Sequence, residues 1–297
     1  MKSVTQHPEN NTLLLAKLSR PRLFDAAPRE RLFQLLDDAW QRTALWISSP
    51  AGAGKTTLVA SYIEARKQPH LWYQLDAGDS DVATFFLHLS GAVSQISRRK
   101  TRPLPLFTLE YQQNIAGFSR RFFRELCSQL SARTIVALDN YHEVDQDSAF
   151  HEAIFEALRE VPRHVLIIII SREGPPKQFS RYRANQSLGV LGWDEIRLTE
   201  AEAGSIAKIK GYDEQALQYD LYRLCGGWTA GLILLMERSM HGGDLLVSAE
   251  GISREAVFDY FAGEILDRSS PTTQQFLIGS SRNRVGKLGG VNRAFPE

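Results

Sequence analysis

Apolar and polar positions along the chain follow two rhythms. Short, nearly continuous apolar runs occur at LWIS (45–48), HLWYQLD (70–76), TIVAL (134–138) and HVLIIII (164–170). Runs of this length, rich in β-branched and aromatic residues, predict strands buried on both faces. Between them the apolar spacing turns helical. PRERLFQLLDDAW predicts a helix ending near Trp40, LVASYIEAR a helix after Thr57, and Val82–Ile96 an amphipathic helix. Phe118, Phe122, Phe123 and Leu126 fall on one face of a further helix over 115–130, and HEAIFEALREVP is a helix closed by proline. Strands alternating with helices predict a parallel α/β sheet.

After about Leu198 the strand rhythm stops. The chain opens a helix with Thr199 and, three residues later, Glu202, the pattern of a capping box. It stays helical to about Met240, with a break at Gly226-Gly227. AVFDYFAGEILDRSSPTTQQFLIGSS predicts two more helices, and periodicity is lost over 282–297. Residues 1–12 read as a disordered lead, and SRRKTRPLP (97–105) as a solvated basic loop.

Composition narrows the class. With 43% hydrophobic and 23% charged residues the chain is an ordinary globular protein, and 297 residues favour more than one packing unit. A formal net charge of +1 provides no overall attraction to nucleic acid or anionic membrane. Cys127 and Cys225 lie far apart in apolar helical contexts, which predicts free buried thiols in a reducing compartment. The polar start MKSVTQHPENN lacks a secretory leader, and VLIIII is too short to span a bilayer. The expectation is a cytoplasmic protein with no membrane partner.

The candidate chemistry lies between Thr43 and Thr57, TALWISSPAGAGKTT: an apolar strand, a glycine-rich turn and a helix. In such a P-loop the backbone amides of the turn and the helix N-terminus converge on phosphate, the lysine reaches the outer phosphates, and the next hydroxyl holds Mg²⁺. The nucleotide-binding candidates are Pro50, Ala51, Gly52, Ala53, Gly54, Lys55, Thr56 and Thr57, with Thr56 as a metal ligand. The first glycine of the strict pattern is replaced by Ser49. Asp139, ending the run IVAL, is the candidate second acid on the metal. The position after it, where hydrolytic relatives usually carry a carboxylate, is Asn140; an amide orients water but accepts no proton, so hydrolysis is expected to be slow or absent. Glu143 is a possible substitute. Arg172, just past the VLIIIIS run, is placed to sense a γ-phosphate or to cap a loop, with Arg181 and Arg183 as weaker candidates. No G-x-S-x-G, H-E-x-x-H or guanine-reading N-K-x-D pattern occurs, which tilts the base toward adenine.

Taken in order, KLSRPRL, PRERL, SPAGAGKTTL, WYQLD, LDNYHEV, ISRE and GGWTAGL resemble the nucleotide-binding module of STAND ATPases, specifically the MalT-like large LuxR-type activators, from about Leu13 to Ser281. The resemblance implies an AAA+-like P-loop domain over residues 13–198, a helical lid over 199–245 and the start of a winged-helix domain over 246–281, followed by an irregular tail over 282–297. It implies ATP or ADP with Mg²⁺ as cofactors, Asp139 and Asn140 at the Walker B position, and Arg172 as sensor. It also implies that Arg20 and Arg31, in the segment that also contains Lys17, Pro21 and Arg29, lie near the base, and that Trp228 belongs to the closing lid helix. It further implies a switch in which ATP favours self-association of the full-length protein and ADP a closed monomer. DNA would be contacted only through a C-terminal domain that this sequence lacks, and the tail reads as a truncation or an altered frame. Thr229 stands where many relatives have proline. Two other readings stay open: a STAND signalling ATPase with a non-transcriptional effector, and a P-loop small-molecule kinase, for which Arg223, the single arginine of TEAEAGSIAKIKGYDEQALQYDLYRL, is a poor fit.

Overall fold

The computed structural model describes residues 16–96, 102–130 and 133–240. The expected lead, winged-helix start and irregular tail lie outside the described residues, as does most of the basic loop.

Five strands, β1 (Ala44–Ser48), β2 (His70–Gln74), β3 (Thr134–Asp139), β4 (Val165–Ser171) and β5 (Leu188–Leu191), form one parallel sheet in the order β2-β3-β4-β1-β5. Its helices are α1 (Glu30–Asp38), α2 (Lys55–Ala65), α3 (Val82–Ile96), α4 (Ile115–Gln129), α5 (Phe150–Ala157), α6 (Ser180–Ala184) and α7 (Trp193–Ile196). Alternation along each strand sorts side chains into two cores. Ala44, Trp46, Val136, Leu138, Val165, Ile167 and Ile169 face α3, α4 and α5, while Leu45, Ile47, Ile135, Ala137, Leu166, Ile168 and Ile170 face α1 and α2. Both faces are covered, so the runs read as continuously apolar rather than alternating. The expected face of α4, namely Phe118, Phe122, Phe123 and Leu126, is buried in the first core around Phe86.

The structure differs from the sequence reading at both edges of the sheet. Strand β2 stops at Gln74, because Asp76 starts a capped turn in which its side chain accepts from the Gly78 amide. Strand β5 carries no apolar run of its own: it is a four-residue edge strand containing Gly189, with only Leu188 and Leu191 buried.

Helices α8 (Glu200–Ile209), α9 (Gln215–Cys225) and α10 (Thr229–Met240) form a separate small core of Leu198, Ala203, Ala207, Leu221, Leu232 and Met236. The expected capping box is present: the Glu202 amide donates to Thr199 Oγ1 at 3.2 Å and the Thr199 amide to Glu202 Oε2 at 3.0 Å. Both thiols are free and buried. A strap over residues 16–31 crosses the molecule. Lys17 binds Asp76 and Asp79 beside β2, and Arg20 binds the Ala60 carbonyl and Glu64 on α2. Lys210 reaches Asp25, and Arg29 binds Glu202 on α8.

Candidate nucleotide site

Strand β1 delivers the chain to the carboxyl edge of the sheet, where Ser49 to Gly54 turn it into α2. Gly52 (φ +68°) and Gly54 (φ +83°) hold left-handed backbone that other residues adopt only at a cost. Gly54 is the N-cap of α2, so the amides of Lys55, Thr56 and Thr57 are first-turn donors with no acceptor inside the helix. The positive end of α2 therefore opens beside the loop.

Lys55 is buried, with Nζ 2.6 Å from the Ser49 carbonyl and 3.0 Å from that of Pro50. Desolvation, then the Arg172 charge, push its pKa down to about 8, and Asp139 partly offsets them. Asp139 ends β3, two strands from β1 across β4, and is 2% exposed. Its Oδ1 accepts from Thr56 Oγ1 at 3.1 Å and from the Asn140 amide at 2.9 Å. Burial pushes its pKa up to about 6 against those hydrogen bonds and the Lys55 charge.

The other expected residues are distributed around this centre. Asn140 takes a left-handed conformation (φ +58°) that asparagine tolerates better than most residues. Glu143 lies one turn on, with Oε1 3.3 Å from His142 Nε2, and the Arg172 amide donates to His142 Nδ1 at 3.4 Å. His142 thus ties the loop after β3 to the loop after β4, a link that no feature of the local sequence announces. Arg20 is engaged with α2, while Arg31 binds Glu202 at 3.2 Å. Arg181 and Arg183 ride α6, on the crossover to β5. Arg29, not singled out as a site residue, is the buried arginine of the strap, and its Nη2 binds the Ile196 carbonyl at 2.6 Å and Glu202 at 2.8 Å.

The residues present suit a magnesium nucleotide. Ser49 Oγ is buried without a hydrogen-bond partner beside the loop, and a side chain at Gly52 would collide with Ala230 Cβ at 2.6 Å. The Thr56 hydroxyl and the Asp139 carboxylate form an oxygen pair of the kind Mg²⁺ takes, completed by water and phosphate rather than by an all-protein cage.

The raised Asp139 pKa has a consequence for stability. A carboxyl that titrates near 6 folded and near 4 unfolded contributes stability below about pH 4, which is lost as pH rises through 6. Asp139→Asn keeps an oxygen acceptor but has no charge to desolvate. It should raise the unfolding free energy of the nucleotide-free protein by up to about 2 kcal/mol at pH 7.5 and by almost nothing at pH 4. Denaturant melts at the two pH values measure this, and equal shifts at both would refute the electrostatic origin.

Comparison with known proteins places this geometry. Residues 29–172 match the family model described as Nephrocystin 3, N-terminal. HTH-type transcriptional regulators MalT of Cronobacter sakazakii and Yersinia pestis are 29% and 30% identical over 91% of this chain. The chain spans 30% of the length of those relatives. Among solved structures, the Walker-type ATPase of Pyrococcus abyssi superposes with a TM-score of 0.54 over 83% of this chain and 77% of its own, at 14% identity, a likeness of fold alone. No described helix is long and apolar enough to cross a membrane. In sequence the chain is thus similar to MalT regulators, and in fold to a Walker-type ATPase.

Proposed function

We propose that the chain is the ATP/ADP-binding switch module of a MalT-like transcriptional regulator that hydrolyses ATP slowly or not at all. The observation that carries this reading is the convergence of Lys55, Thr56 and Asp139 on the N-terminus of α2 at the carboxyl edge of the sheet. The loop amides of Pro50 to Gly54 that carry N–H groups, with those of Lys55 to Thr57, hold the phosphates, and the Lys55 ammonium neutralises the outer ones. Thr56 and Asp139 hold Mg²⁺, which when bound screens the charge of the phosphate oxygens. Arg172 lends a second positive charge, close enough to depress the Lys55 pKa. Arg20 and Arg31 act in this reading through the strap, by holding α2 and the lid around the base. Similarity to MalT regulators supports transcriptional control over the open alternatives, with DNA contacted and self-association completed by regions beyond this module. Calorimetric titration with ATP, ADP and GTP, with and without Mg²⁺, tests the reading: adenine nucleotides should bind in a Mg²⁺-dependent manner, and a folded sample that binds none refutes it.

Turnover is limited by the residue after Asp139. The Asn140 amide accepts no proton, whereas a carboxylate in its place would, and aspartate also tolerates the left-handed backbone there. Asn140→Asp should raise the steady-state ATPase rate roughly tenfold or more, a part of the 10²–10⁴ that general bases supply. An unchanged rate would assign water activation to another group, such as Glu143 at the end of the same turn.

A further inference from the structure

Three successive peptide units of the phosphate loop are held from outside by the start of α10. The Trp228 indole N–H donates to the Ala51 carbonyl at 2.9 Å, the Ala230 amide to Gly52 at 2.9 Å, and the Thr229 hydroxyl to Ala53 at 3.1 Å. In a trans peptide the N–H points opposite to the C=O. The amides of Gly52, Ala53 and Gly54 are therefore all turned away from α10, onto one side of the loop. Successive amides presented on one side make an anion-binding nest.

We propose that Trp228 and Thr229 are positioning residues for the phosphate loop: by holding its carbonyls they pre-set its amides for polyphosphate, so that lid docking and polyphosphate binding reinforce each other. The inference rests on the nucleotide-site reading above and adds the coupling between the two bodies. Contact is close enough to exclude any side chain at position 52, and a Cβ at Gly54 would lie 3.4 Å from Thr229 Oγ1. The donors are themselves fixed. The Leu198 amide donates to the Gly227 carbonyl at 2.8 Å, and Leu232, Leu235 and Met236 anchor the rest of α10 in the lid core. Movement of the lid is thereby movement of the loop carbonyls. Thr229 supplies a donor that a proline at this position could not. Linkage makes the effect reciprocal: whatever lid docking adds to polyphosphate affinity, polyphosphate adds to lid docking.

The test uses inorganic tripolyphosphate and ATP, each with Mg²⁺, as probes of the full chain. Trp228→Phe keeps an aromatic ring and removes the N–H, Thr229→Val keeps the shape and removes the hydroxyl, and Thr229→Ser keeps the donor. The combined Trp228→Phe/Thr229→Val variant should bind both probes roughly tenfold more weakly, within the usual range of coupling between sites, while Thr229→Ser restores the Thr229 share. Hydrogen exchange supplies a readout that general destabilisation would not mimic: saturating tripolyphosphate should slow exchange over 229–240 in the wild type and not in the double variant. Unchanged or tighter binding by the folded double variant, or no added protection of 229–240 in a wild type that binds, overturns the coupling alone. A wild type with no Lys55-dependent binding of either probe overturns the nucleotide-site reading and the coupling with it.

Discussion

Lys55→Met is expected to lower the affinity for MgATP at least a hundredfold, about 2.7 kcal/mol, while the protein stays folded. The side chain starts α2 and lies buried against two loop carbonyls, with desolvation and then the nearby Arg172 charge working against its ammonium. A polyphosphate brings the compensating negative charge, and charge-assisted hydrogen bonds of this type contribute about 1.5–3 kcal/mol each. Methionine fills a similar volume and supplies none of them. A lysine whose pKa is pushed down to about 8 contributes stability at high pH that is lost as pH falls through 8. The variant has no such loss, so at pH 7 the nucleotide-free protein should melt at the wild-type temperature or above. Titration calorimetry and thermal melts on the same sample separate the two effects. Wild-type ATP affinity in the variant would remove the nucleotide site; a large drop in melting temperature would instead make Lys55 a structural residue.

Much of this was legible in the sequence because it is local. A buried strand, a two-glycine turn and a helix follow one another within fifteen residues from Thr43 to Thr57, and each leaves its own periodicity. Strands β3 and β4 announce themselves because burial on both faces forces uninterrupted apolar runs. Strand β5 was silent for the converse reason: it has four residues, and Gly189 and the exposed Val190 interrupt its burial, so no apolar run forms. Long-range contacts left no trace either. The helix after Gly226-Gly227 could be read from its spacing, but not the donation of Trp228 and Thr229 to carbonyls some 176 residues earlier. The same holds for Arg29, one of four arginines from Arg20 to Arg31, whose burial against the lid depends on how two distant elements pack.

That arginine carries the second large effect. Arg29→Met should destabilise the packing of α8 against the strap by about 3 kcal/mol, the low end for stranding one partner of a buried ion pair, whereas Arg29→Met combined with Glu202→Met should recover most of the loss. The side chains of Arg29 and Glu202 are only 9% and 12% exposed, and they meet at 2.8 Å. Burial alone would push the Glu202 carboxyl up, but Arg29, the Thr199 amide and Arg31 more than reverse it, so it titrates below the ordinary glutamate range. Its contribution is therefore complete above about pH 4.5 and lost as pH falls through that lowered value. Arg31, at 3.2 Å and 40% exposed, takes up only part of the stranded charge. Yet the pair is imperfectly satisfied: Arg29 Nε and Glu202 Oε1 are both buried without hydrogen-bond partners. Two unpaired polar atoms cost the wild type what two methionines would not, which is why replacing both residues should be far milder than replacing one. Denaturant melts of the two single variants and the double variant form the cycle that measures this. Additive losses would mean that strap and lid are held by packing and by the Arg29 contacts to the Ile196 and Arg197 carbonyls, and that the charge pair does not clamp them.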